Sequence, residues 1–145
     1  MPKSRYSQYV VTELKEPEER RRIAPAYNKY AQRILWMDED VVPGAFNMNA
    51  SWYLKAGMTI DNVPHTHDHD EIIGFFSNDD KRPYDLGGEI EIWLEGEKQI
   101  ITKSCMIFVP AGMKHCPLIL RRVDRPIFHF TAVMAGKYVK HEKPK

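Results

Sequence analysis

From Pro43-Gly44 onward the chain breaks into short runs in which apolar and polar residues alternate, separated by turn residues, and this rhythm restricts the fold more than any other feature. The runs are FNMNASWYLKAG, MTIDNVPHTH, EIIGFFS, GGEIEIWLEGEKQIIT, CMIFVPAG, HCPLIL and RPIFHFTAVM. Strand side chains point alternately to two faces, so period-two runs of this length read as half-buried β-strands. About seven or eight such strands without a long helical period indicate an all-β sandwich or barrel. The clearest hairpin is EIWLEGEKQII, where Gly96 divides two strands and Ile90, Ile92 and Leu94 alternate with Glu89, Glu91 and Trp93.

Residues 1–42 read as an N-terminal arm outside the barrel, residues 43–136 as the barrel, and residues 137–145 as a polar tail. In the arm, ELKEPEERRR from Glu13 to Arg22 alternates in charge, and Pro17 followed by two glutamates suits a helix N-terminus, so a short surface helix is expected. The basic run Arg20 to Arg22 is offset by the acids before it and reads as a solvated face. YNKYAQRILWM, from Tyr27 to Met37, fits a strand or a continued helix.

Length and charge narrow the functional classes. At 145 residues the chain suits one domain with one core. Lys and Arg number 21 against 20 Asp and Glu, so there is no global field to attract nucleic acid. No run approaches the roughly 20 apolar residues of a membrane span, and the polar start lacks the apolar stretch of a secretory signal, so the expected location is the cytoplasm and a membrane is not an expected partner. Cys105 and Cys116 are expected as reduced, packed thiols, with Cys116 on the far side of its strand from His115.

The densest chemistry lies in PHTHDHDE, where His65 to Glu71 carry three histidines and three carboxylates in seven positions. On a strand, His65 and His67 would share a face, and Glu71 would open the next strand with Ile73 and Phe75. A third imidazole is available at His115, which follows the turn PAGMK. Three His and one Glu make a mixed nitrogen and oxygen shell that suits Mn, Fe, Co, Ni, Cu or Zn better than Ca or Mg, and four ligands on an octahedral ion leave two positions open. Taken alone, the string is equally that of an exposed polar hairpin.

A second motif, PAGMKH, begins 39 residues after Glu71. Together PHTHDHDE and PAGMKH resemble the paired HxH…E and PxGxxH motifs of the cupin superfamily, here of the small single-domain, cupin-2-like kind. The resemblance covers about Pro43 to Met134 and implies a double-stranded β-helix, or jelly-roll barrel, with one divalent transition metal held by His65, His67, Glu71 and His115 near one mouth. The chain departs from the family at Thr59, Asn78 and Ser104, where flanking glycines are usual, and at Ile119, where the closing Asn is usual.

Several other residues invite roles. His129 alternates with Phe128 and Phe130 and is either a proton-transfer or substrate group inside the barrel or a surface histidine. Asn49 and Tyr53 share a polar strand face with Asn47 and Ser51; in a solvated barrel wall that face meets water, whereas around a metal pocket part of it turns inward, with Asn49 and Tyr53 holding substrate oxygens. His69 is assigned to the surface. The expected function is a metal-dependent enzyme acting on a small hydroxy acid, keto acid or sugar-like substrate by Lewis-acid isomerase or lyase/decarboxylase chemistry, with His129 or Glu71 moving the proton. The alternatives are an Fe(II) dioxygenase and a non-catalytic metal- or ligand-binding module. A homodimer is expected, with the arm crossing to the partner, because a small open barrel must cover its edges and exposed aromatics.

Overall fold

The structure, a computed structural model, describes residues 4–58 and 63–142. Its elements are a helix α1 (Glu18–Tyr27) and strands β1 (Ala31–Met37), β2 (Asn47–Tyr53), β3 (Gly57–Met58), β4 (Glu71–Phe76), β5 (Asp85–Leu94), β6 (Glu97–Lys103), β7 (Cys105–Val109), β8 (His115–Val123) and β9 (Ile127–Val133). The strands form two antiparallel sheets, a five-stranded one in the order β1-β2-β9-β4-β7 and a four-stranded one in the order β3-β8-β5-β6. Residues that are neighbours in the first sheet, such as β9 and β4, are far apart in sequence, as the all-β double-sheet expectation requires. Thr59, and part of the expected strand MTIDNVPHTH, lie outside the described residues.

The alternation read from sequence decides which faces meet. Phe75, Leu86, Ile90, Ile92, Leu120 and Ile127 have essentially no exposure and come from both sheets. Each such side chain contributes roughly 1.5–3 kcal/mol by leaving water. The β5–β6 turn is made by Glu95 and Gly96, both with positive φ (48° and 77°), the geometry that matches hairpin twist.

The arm is organised around Pro17, which caps α1 with its carbonyl accepting from Arg20 and Arg21 N–H, while Glu18 and Glu19 occupy the first turn. The helix therefore starts at Glu18, directly after the Pro17 that the sequence marks as its N-terminus, and runs through Tyr27. Arg20 departs from the solvated face read from sequence: it is 6% exposed, its guanidinium 4.8 Å from the Tyr138 ring centroid. Ala31–Met37 is a strand, and it pairs with β2 from Ala31↔Tyr53 to Met37↔Met48. The five-stranded sheet thus takes in part of the first 42 residues.

Candidate metal centre

Two hydrogen-bonded loops bring the sequence motifs together. His65 N–H donates to His115 O and His115 N–H to His65 O, each at 3.0 Å, so these two residues form an antiparallel bridge. The turn before His115 closes by Met113 N–H to Pro110 O at 3.0 Å, with Gly112 at φ 83°, a conformation that favours glycine. Gly112 N–H reaches His67 O at 2.9 Å, and Ala111 N–H reaches Asp70 Oδ1 at 2.9 Å, which ties the turn to the first motif. Glu71 opens β4 and faces inward with Ile73 and Phe75.

His65, His67 and His115 are each no more than 3% exposed, and one ring nitrogen from each lies within 4.8 Å of the others. The outward nitrogens are fixed by carbonyls. His65 Nδ1 donates to Val63 O at 2.8 Å, His67 Nδ1 to Val139 O at 2.6 Å, and His115 Nδ1 to Met113 O at 3.1 Å. A carbonyl only accepts, so each Nδ1 carries the proton and each neutral ring turns its Nε2 lone pair inward. Glu71 Oε1 meets these lone pairs, 3.1 Å from His115 Nε2 and 3.4 Å from His67 Nε2. With both rings neutral those contacts hold no hydrogen, and His65 Nε2, His67 Nε2 and Glu71 Oε1 are buried polar atoms without a hydrogen-bond partner. A cation or a proton between them removes that conflict, so the residues present fit a metal ion.

The charges respond accordingly. Burial, with its histidine neighbours, holds the His65 imidazole down at about 4. Burial also works against charge on His67, but the Glu71 carboxylate outweighs it and raises that imidazole. Burial pushes the Glu71 carboxyl up, yet His115 and His67 outweigh it and bring the group to about 2.

Beside the cluster lies a cavity of about 30 Å³, lined by Tyr53, Glu71, His115, Cys116, His129 and Tyr138 among others. This is room for one or two waters or a ligand's donor atoms. His129 faces inward, 6% exposed, stacked on Tyr53 (4.6 Å) and Phe75 (5.0 Å), with Nδ1 donating to Gly74 O at 3.0 Å. The polar face of β2 also turns inward: Asn47, Asn49, Ser51 and Tyr53 are buried while Met48 is 41% exposed. Asn49 hydrogen-bonds Thr131, Ser51 receives Tyr27 Oη–H and Asn47 Nδ2 donates to Met37 O, while Asn47 Oδ1 is buried without a hydrogen-bond partner. His69 is exposed.

Two placements differ from the sequence reading. Cys116 does not point away from His115, for both line the cavity. The register of β5 and β8 shifts between Ile92↔Leu118 and Leu94↔His115, and Cys116 sits at φ 78°, so a bulge breaks the alternation here. The tail, read as merely polar, returns across the site: Thr66 and His141 form a bridge, the Tyr138 ring packs tilted against His67 at 4.9 Å, and Val139 supplies the His67 carbonyl partner. A tyrosine in a lysine-rich terminus gave no periodicity by which to place it.

No protein-family model and no curated protein matches the chain. Among solved structures, a recombinant oxalate oxidase in complex with glycolate superposes with a TM-score of 0.56 at 14% identity, covering 92% of this chain and 62% of that one. A second oxalate oxidase structure, also with glycolate, gives a TM-score of 0.51 at 14% identity, covering 77% of this chain and 53% of that one. This chain therefore spans only 53–62% of the length of those structures. A cupin-2 domain protein from Rhodospirillum rubrum follows at a TM-score of 0.46 and 9% identity, covering 68% and 57% of the two chains, too loose a likeness to build on. At these identities the likeness is one of fold. Among the described residues no helix is long and apolar enough to cross a membrane.

Proposed function

We propose, from the premise that the chain is a cupin by fold, that it is a metal-dependent enzyme acting on a small oxygen-rich acid, with His65, His67, Glu71 and His115 as the ligands of one divalent transition metal. The observation that carries this reading is the set of buried, partnerless atoms His65 Nε2, His67 Nε2 and Glu71 Oε1, facing one another with the outer ring nitrogens already committed. A metal bound there supplies Lewis acidity toward a substrate oxygen. The chain's own residues supply the rest. Tyr53 and Asn49 line the interior and orient the substrate, while the packed rings of Tyr53, Phe75 and Tyr138 limit water. His129, with Nδ1–H fixed on Gly74 O, keeps Nε2 as its basic nitrogen and is the group proposed to move the proton.

The proton-transfer role favours isomerase or lyase chemistry over oxidation, because a base held beside the cluster is what such reactions need. A panel of short hydroxy and keto acids, assayed with the metal-loaded and chelator-stripped protein, tests it. Turnover that disappears on stripping, returns with metal, and falls at least a hundredfold in His129→Gln with the metal retained is the expected result. Turnover unchanged in His129→Gln contradicts the assignment of the base.

A further inference from the structure

Behind the His129 ring the barrel holds a second hollow of about 20 Å³, lined by Arg20, Tyr27, Arg33, Trp36 and Asn49. It shares Tyr53, His129, Thr131 and Tyr138 with the cavity at the histidine cluster, so the two hollows adjoin. Both arginines are buried, Arg20 at 6% exposure and the Arg33 side chain at 7%. Both are also held flat against rings: Arg33 lies 4.5 Å from Tyr27 and 5.3 Å from Trp36, Arg20 4.8 Å from Tyr138 and 5.9 Å from Trp36. Two guanidiniums thus converge on the one indole of Trp36.

Arg33 is not fully engaged. Its Nε donates to Glu16 at 2.9 Å and its Nη1 to Asn49 Oδ1 at 2.5 Å, and among the described residues Nη2 has no hydrogen-bond partner. Of the nearby acids, Glu16 neutralises one guanidinium in part, while Asp38 is turned to Trp36 Nε1–H and to the amides of Asp40 and Val41. Arg33 Nη2 therefore keeps a donor that a ligand reaching the hollow can accept from. A strut that merely docked the arm would be served by the Glu16 pair alone.

We propose that this hollow is a carboxylate subsite, in which Arg33, with Arg20 beside it, receives one end of a small organic acid whose other oxygens reach the His65, His67 and His115 cluster. A planar carboxylate matches the guanidinium fork. Arg33 is on β1 and Glu71 on β4, and the order β1-β2-β9-β4 puts three strand steps, about 14 Å, between their backbones, with side chains reaching in from both ends. That span selects an acid with two oxygen groups a few carbons apart. The near end of this ligand rests on the metal-centred reading above; the far end does not.

The test is calorimetric binding of malonate and succinate, with acetate as the single-carboxylate control, to protein carrying the metal it retains on purification and to metal-stripped protein. One of the two diacids binds the wild type more tightly than acetate does; Arg33→Met weakens it about tenfold or more, toward the affinity of acetate. Glu16→Gln tightens it severalfold, since it removes the competing carboxylate, a gain that a purely structural ion pair does not give. If Arg33→Met fails to fold, Arg33→Lys, which keeps the charge and loses the fork, carries the same comparison. Equal diacid affinity in wild type and Arg33 variants, no binding of either diacid, or weakening in Glu16→Gln overturns the subsite. Protein that retains no metal contradicts the metal-centred reading instead, and the Arg33 dependence in stripped protein then decides the subsite alone.

Discussion

Each histidine of the cluster is settled by a backbone carbonyl before any ligand arrives. Val63, Val139 and Met113 take the Nδ1 protons, which forces the Nε2 lone pairs together around Glu71. In metal-free protein this has a signed pH consequence. His65 is held down to about 4, against 6.5 in an unfolded chain, so the unfolded state takes its proton first as pH falls. The stability tied to neutral His65 is complete above pH 6.5 and is lost between there and about 4, on the order of 3 kcal/mol. Glu71 has the same sign at lower pH: its contribution is present above 4.5 and is lost as pH falls toward about 2. His67, raised by Glu71, has the opposite sign, so its contribution is full below 6.5 and is lost as pH rises through the raised value. Thermal melts of stripped protein from pH 7 to 4 are expected to fall more steeply for wild type than for His65→Asn; parallel curves would refute the His65 assignment. The four candidate ligands were legible because they lie in two motifs of fixed spacing. The carbonyls that orient them were not, since Val139 and Met113 carry no side-chain signal for that role.

At the scale of elements, alternation predicted most strands, and β4 keeps Glu71, Ile73 and Phe75 inward as its pattern requires. What alternation leaves open is which face of a strand lies inside when one face is polar. In β2 the polar face is the buried one, because Tyr27, Thr131 and Arg33 satisfy Ser51 and Asn49 within the barrel. Cys116 escaped for a different reason, as a bulge shifts the face without changing the composition. The tail escaped because its contacts are long-range: Val139 O accepts from His67, Thr66 bridges His141, and His141 Nε2 lies 2.9 Å from Asp68. A chain ending at Ala135 loses both the Val139 carbonyl and the Tyr138 ring beside His67. Its metal affinity is expected to fall about ten- to a hundredfold in a competition titration, while circular dichroism keeps the β signature. Undiminished affinity would show that the tail does not orient His67.

At the scale of the whole molecule, the described residues leave apolar side chains exposed on one sheet face. On the outside of the five-stranded sheet Met48, Ile72, Met106 and Phe108 are exposed on strands two of which, β4 and β7, are paired directly, Ile72 opposite Phe108. Apolar surface gathered on one face of a sheet marks an interaction site, and a second copy of the same face is its simplest complement. We propose that this face pairs two copies of the chain: the wild type is then expected to sediment as a dimer, and replacing Met106 and Phe108 by Lys to give a monomer without loss of metal, whereas an unchanged sedimentation coefficient would contradict the pairing. The barrel itself was legible from turn spacing and strand rhythm, whereas assembly depends on a surface that the same rhythm describes only as one side of each strand. All of this rests on the barrel enclosing a metal. The most direct measurement is metal content by elemental analysis of protein purified without added metal, in wild type and in folded His67→Ala and His115→Ala variants. Close to one transition-metal ion per chain in the wild type and little in either variant is the predicted result, and full metal content in both variants, or none in the wild type, would contradict it.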